Sequence, residues 1–77
     1  MPRYFFDLTV NGAQETDKDG VLLADPQAAR LEACRIAGEL AAEPNGRRER
    51  EVLISARGED SAYFCEVELR IVIRDKG

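Results

Sequence analysis

Acidic residues alternate over a short segment near the amino terminus, and this pattern comes nearest to that of a metal site. The segment runs Glu15-Thr16-Asp17-Lys18-Asp19-Gly20. Acids at alternate positions followed by glycine are typical of the start of a calcium loop, because they place oxygen atoms around a hard cation. The twelfth position of such a loop requires a bidentate glutamate, but Pro26 stands there, and no helix precedes the segment. We therefore predict a solvated hairpin end, with no metal or cofactor site.

Nucleophilic catalysis lacks its usual base in this chain. The sequence contains no histidine, which excludes a Cys–His nucleophile, a serine triad and a histidine-containing metal site. A disulfide between Cys34 and Cys65 would need Cα atoms within about 7 Å, and the spacing leaves this open. In a reducing compartment we expect both thiols to lie in the core as small hydrophobic groups. Asp7 could pair with an acid of residues 15–19, but nothing indicates a pocket, so we predict no enzymatic activity.

Basic side chains gather in the second half of the chain, at Arg47, Arg48, Arg50 and Arg57. Such a cluster could contact a phosphate or another anion. Glutamates interleave with it, however, and the whole chain carries a net charge of -4 at pH 7, which disfavours binding to nucleic acid and to anionic membranes. We interpret the cluster as a solvated loop, and weak nucleic-acid binding through these four arginines is kept as an alternative.

Alternating side chains predict strands on both sides of a central helix. The predicted strands cover residues 3–10, 13–17, 52–57 and 62–74. Between the first two, Asn11-Gly12 predicts a type I′ turn, because both central positions need a positive φ. The second strand is polar and short, which is typical of a sheet edge.

The central helix begins after Asp25, which can cap its first turn, and Pro26 suits its first position. It runs to about Glu43, because a proline and two turn formers follow. Alanine dominates its apolar stripe, which predicts close approach to a sheet. The stripe comprises Ala29, Ala33, Ile36, Ala37, Leu40 and Ala41. Leu31 falls on the opposite, exposed side.

These elements predict one domain of the α+β class over residues 1–77. Its order is β-β-α-β-β, with one helix packed on one face of a four-stranded antiparallel or mixed sheet, and we expect the strand order 2-1-3-4. Neither a signal peptide nor a run of about 18 apolar residues is present, so we expect a cytoplasmic protein that does not enter membranes.

A single helix covers one face of its sheet, so apolar residues on the other face would invite a partner. The alternation places two phenylalanines on that open face. The last strand also outreaches the helix, which leaves its end adhesive. The residues predicted to form an interface are Phe5, Leu53, Phe64, Val72, Ile71 and Ile73. Because a chain of 77 residues buries a small core, we expect a homodimer formed through the sheet.

Two resemblances extend this interpretation. The opening Pro2-Arg3-Tyr4-Phe5-Phe6-Asp7-Leu8 and the segment Asp17-x-x-Gly20-x-x-Leu23-x-Asp25-x-x-Ala28-Ala29-Arg30-x-Glu32-Ala33 resemble a family of small uncharacterised bacterial proteins, a domain of unknown function. The chain is more distantly similar to HicB-type antitoxins, which share an aromatic-rich first strand and an alanine-rich helix after an acidic cap. The first resemblance implies the fold and no activity. The second implies, as an alternative function, an antitoxin-type protein that binds a small protein partner.

Overall fold

The computed structural model describes residues 1–43 and 48–76, and within them the chain forms one helix and five strands. The elements are β1 (Arg3–Val10), β2 (Ala13–Glu15), β3 (Val21–Leu22), α1 (Pro26–Ala42), β4 (Glu49–Arg57) and β5 (Tyr63–Val72). The sheet is antiparallel in the order β2-β1-β4-β5, and β3 pairs with the start of β1. The predicted α+β class and strand order are therefore confirmed, and the two-residue strand β3 is an addition.

The turn between β1 and β2 has the predicted geometry. Asn11 and Gly12 both have positive φ, at 51° and 85°. Asn11 also fixes the register of the neighbouring strand, since its side-chain Oδ1 accepts a hydrogen bond from the Glu51 amide and its own amide donates to the Glu51 carbonyl. β2 ends at Glu15, two residues earlier than predicted.

Helix α1 begins and ends as its sequence indicates. An Asp25 carboxylate oxygen accepts a hydrogen bond of 2.8 Å from the Ala28 amide, and Pro26 occupies the first turn. Three alanines of the stripe, Ala29, Ala33 and Ala37, are buried against the sheet, whereas Leu31 is 63% exposed. Within the described residues, no helix combines the length and the apolar character that crossing a membrane requires.

The core lies between α1 and the two central strands. Its strand residues are Tyr4, Phe6, Val52, Ile54 and Ala56. Seven further apolar side chains pack at its margin and are half-buried, namely Leu8, Leu23, Ile36, Leu40, Cys65, Val67 and Leu69. The helix contacts β4 and β5 most closely, so it lies towards the β5 side of the sheet.

A β-bulge interrupts the last hairpin and changes which face two aromatic residues occupy. Ala56 pairs with Cys65, but the next pair is Arg57 with Tyr63, so Phe64 is the extra residue. Phe64 consequently lies on the helix side, with its ring 5.8 Å from the ring of Tyr4. The prediction that Phe64 lies on the open face is wrong, because strict alternation cannot anticipate a bulge.

Candidate binding edge

The open face of the sheet is polar, contrary to the prediction of an apolar surface. Phe5 is half-buried on this face, with the Arg57 guanidinium 4.6 Å above its ring centroid. Leu53 and Val72 are half-buried as well, and each lies opposite a glutamate in the ladder. An apolar patch of the predicted kind is therefore not formed by Phe5, Leu53 and Val72.

A hydrogen-bonded cluster joins four elements on this face. Its centre is Asp7, whose carboxylate accepts hydrogen bonds from Arg57 Nε at 3.0 Å, from the Tyr63 hydroxyl at 2.5 Å and from the Asp17 amide at 3.0 Å. Arg57 also donates to the Asp17 carbonyl at 2.8 Å. The cluster thus ties the loop after β2 to β1, β4 and β5.

These contacts shift the pKa values of the cluster. Burial alone would raise the pKa of Asp7, but the hydrogen bonds from Arg57, Tyr63 and the Asp17 amide lower it below its ordinary value of 3.8. The hydrogen bond to Asp7 raises the pKa of Tyr63 above 10.0 and also raises the pKa of Arg57. The groups are therefore held in fixed charge states near neutral pH, which suits a structural role better than proton transfer.

The segment that resembles a calcium loop is organised around its own backbone. The Asp17 carboxylate accepts hydrogen bonds from the amides of Phe6, Asp19 and Gly20, at 3.0–3.1 Å. Burial would raise the pKa of Asp17, but these three amides lower it. Among the described residues, no group of three or more acidic, cysteine or histidine side chains could hold a metal ion. The carboxylate of Asp17 serves the loop itself.

The arginines of the predicted anion site do not come together. Arg50 is buried on the helix side of β4, where its guanidinium donates to the carbonyls of Leu40 and Ala41, each at 2.8 Å. Arg57 lies on the opposite face, within the Asp7 cluster. Arg48 is exposed and forms an ion pair with Asp75. Arg47 lies outside the described residues. The prediction of a shared anion contact is corrected for Arg50 and Arg57, whose guanidinium groups serve the fold.

The two cysteines are free thiols in different environments. Cys65 is half-buried at the margin of the core, in accordance with its prediction. Cys34 is exposed on α1, so the prediction that it faces the core is wrong. Its position one residue after the buried Ala33 turns it towards the side of the helix.

Strand β5 forms one border of the sheet, and its outer edge pairs with no described strand. Hydrogen bonding alternates along an antiparallel ladder, so every second residue points its backbone groups to the neighbouring strand. The Ile73 amide donates to the Arg48 carbonyl, which places the odd-numbered positions of β5 on the β4 side. The backbone groups of the even-numbered positions therefore point away from the sheet. These positions are Glu66, Glu68, Arg70 and Val72.

The same edge leaves an apolar row incompletely covered. The side chains that β5 directs towards the helix, at positions 65, 67, 69 and 71, are all half-buried, whereas their partners Val52, Ile54 and Ala56 on β4 are fully buried. Ile71 belongs to this row, and Ile73 follows the strand and is 48% exposed. We did not predict the outward backbone groups, although the length of the alternating segment is the signal that could have indicated them.

The fold and this edge define the protein as a small two-layer α+β domain whose sheet is bordered by the long edge strand β5. Residues 3–70 match the family described as Domain of unknown function (DUF6894), and the chain belongs to that family. No curated protein and no solved structure matches the chain. The resemblance to HicB-type antitoxins therefore stays a prediction.

Proposed function

We propose that this domain acts by binding protein and not by catalysis, and that it does so by adding a strand of its partner to the edge of β5. The observation that carries the proposal is the ten-residue strand Tyr63–Val72, which borders the sheet and directs four successive sets of backbone groups outward. Extended peptides pair with such edges through main-chain hydrogen bonds, and pockets for alternate side chains add specificity.

The other border of the sheet offers far less to a partner. There β1 is paired over part of its length by β2, of three residues, and by β3, of two. Short edge strands of this kind are one way in which proteins avoid association at an edge. The contrast between the two borders favours β5 as the element that binds.

The proposal is tested with an extended peptide that reproduces residues 62–74 of this chain. Dilute protein is titrated with the peptide, and amide shifts are followed by NMR. We expect the largest changes at the amides of Glu66, Glu68 and Arg70, which point outward.

A proline substitution supplies the matched control. Glu68→Pro removes one outward amide and leaves the β4–β5 hydrogen bonds in place, so the variant should fold, as its circular dichroism will show, and bind the peptide at least tenfold more weakly. Glu68→Ala removes the same side chain and keeps the amide, so it should still bind. Equal binding by the folded proline variant, or shifts confined to the open face, would overturn strand addition.

A further inference from the structure

We infer that the strand added at this edge is β5 of a second copy of the chain, so that two copies form a dimer with one continuous sheet. This inference rests on the proposed function and adds the partner and its register. The two strands would run antiparallel about a two-fold axis at Leu69, as a symmetric dimer requires.

Charge complementarity favours this register. The outward edge of β5 carries Glu66, Glu68 and Arg70 with their side chains on the open face. A two-fold axis at Leu69 places each Glu68 directly opposite Arg70 of the other copy. Axes at positions 66, 67, 68 or 70 instead place two glutamates or two arginines opposite each other, which is unfavourable. The Leu69 register alone among these five has no such clash.

The helix-facing row gains its missing cover in the same register. Val67 of one copy lies opposite Ile71 of the other, and the two Leu69 side chains meet at the axis. In the single chain Val67, Leu69 and Ile71 are only half-buried. Pairing at four even-numbered positions adds about eight backbone hydrogen bonds. The same register therefore gives partners to the outward backbone groups and covers the apolar row.

The position of α1 supports the same arrangement. The helix contacts β4 and β5, and strands lie about 4.8 Å apart, so two copies of α1 would lie about 10 Å apart across the axis, which is an ordinary helix packing distance. Arg30 of the helix stacks on Phe64 of β5, and the helix surface beyond Arg30 carries small residues. Cys34 is exposed there, and a Cβ added at Gly38 would meet no atom within 4 Å.

Gly38 also lies level with the proposed axis. Two contacts anchor the helix along β5. Arg30 stacks on Phe64 near the start of the strand. Near its end, Arg50 pairs with Ile71 and donates hydrogen bonds to the carbonyls of Leu40 and Ala41. The helix therefore runs alongside β5 in the same direction, and its position nearest to Leu69 falls between these two anchors, near Gly38. A residue without a side chain is what two helices in close contact would require there.

Sedimentation of the intact chain over a range of concentrations is the first test. We expect a monomer–dimer equilibrium. Gly38→Gln adds a side chain in open space and improves helix propensity, so this variant should fold and yet dimerise more weakly. A chain that stays monomeric but binds the peptide of residues 62–74 would overturn the dimer and leave the proposed function standing, whereas failure of both would remove both.

Charge reversal tests the register. Glu68→Arg places like charges opposite each other at both symmetric pairs, and so does Arg70→Glu, so each variant should dimerise roughly tenfold more weakly. An equimolar mixture of the two variants restores opposite charges at both pairs, and it should form a heterodimer. If the mixture dimerises no more tightly than either variant alone, the pairing of Glu68 with Arg70 is contradicted.

Disulfide trapping gives an independent measure of the axis. In a Cys34→Ser, Cys65→Ala background, Leu69→Cys should form a linked dimer on oxidation, because facing residues of a non-hydrogen-bonded pair have Cα atoms about 4.5 Å apart. Glu68→Cys in the same background is the control, since position 68 faces position 70, and it should stay unlinked. Linkage of the control in preference to Leu69→Cys would overturn the register.

Discussion

At the scale of single residues, the acids near the amino terminus hold the loop after β2 in place. The Asp17 carboxylate accepts hydrogen bonds from three backbone amides. The Asp7 carboxylate accepts hydrogen bonds from Arg57, Tyr63 and the amide of Asp17. The spacing of acids and glycine that resembles a calcium loop is thus explained by a turn that folds back onto β1. The glycine of this pattern, Gly20, has a steric reason of its own.

Gly20→Ala is expected to destabilise the protein by about 2–3 kcal/mol. Gly20 has a φ of 68°, and an added Cβ would lie 2.8 Å from the Tyr4 carbonyl oxygen, which belongs to the backbone of β1 and cannot move freely. Gly12→Ala is the control, because φ is 85° there but the Cβ would meet nothing, so its cost should be about 1 kcal/mol. Urea unfolding measures both, and equal costs would contradict the steric argument.

The phenol of Tyr63 should titrate above pH 10, because its hydrogen bond to Asp7 raises its pKa above 10.0. A raised pKa in the folded state contributes stability that is present below pH 10 and is lost as the pH rises through the folded value. Asp7→Asn should bring the Tyr63 pKa down towards 10.0. Tyrosinate absorbance against pH measures it, and Tyr63→Phe identifies the transition, because Tyr4 is then the remaining tyrosine. An unchanged pKa in Asp7→Asn would refute this explanation.

At the scale of elements, helix α1 depends on a strand for its last turn. Arg50 donates hydrogen bonds to the Leu40 and Ala41 carbonyls, which face no further helical turn. A positive charge at this end also interacts favourably with the helix dipole. An arginine that the sequence places in a basic cluster is thereby explained as a cap supplied from β4.

Arg50→Gln should lower the free energy of unfolding by about 2 kcal/mol, because a buried charged donor to two carbonyls is lost. Hydrogen exchange at the end of α1 should become faster. Arg48→Gln is the matched control, since Arg48 is exposed and its ion pair with Asp75 contributes little. If both variants lose the same stability, the cap has no special role.

The strands and the helix could be predicted because their signals are local. Alternation, the Asn11-Gly12 turn and the Asp25 cap each act within a few residues. The turn and the cap are confirmed, and alternation identified four of the five described strands. The bulge at Phe64 could not be predicted, since it depends on how Arg57 and Tyr63 reach Asp7 across the sheet. One extra residue reversed the faces of Tyr63 and Phe64, and the predicted aromatic patch was lost with it.

At the scale of the whole molecule, the carboxylates of Asp7 and Asp17 make the free energy of unfolding depend on pH. The pKa values of Asp7 and Asp17 are both lowered below 3.8 in the folded state. Their contribution is therefore present above about pH 4 and is lost as the pH falls through the folded values.

The stability of Asp17→Asn should fall less steeply with falling pH than that of the wild type, because the variant lacks one of the two carboxylates whose protonation favours the unfolded chain. Its loss of amide hydrogen bonding should also cost about 1–3 kcal/mol at neutral pH. Gly12→Ala is the control, since it destabilises the chain at another turn and leaves both carboxylates and their hydrogen bonds in place, so its pH dependence should stay that of the wild type. Thermal unfolding between neutral pH and pH 3 gives both slopes, and parallel curves for Asp17→Asn and wild type would contradict the assignment.

The dimer inferred from the β5 edge makes stability a function of concentration. A partner that binds the folded chain and not the unfolded one stabilises it by mass action, so the melting temperature of the wild type should rise with protein concentration. For a chain of 77 residues, whose core is small, this contribution should be a large part of the total. Glu68→Pro removes an outward amide and keeps the ladder with β4, so its melting temperature should rise less with concentration than that of the wild type. A wild-type melting temperature that is independent of concentration over a hundredfold range of about 1–100 μM, which spans ordinary dimer affinities, would show that this edge does not join two copies.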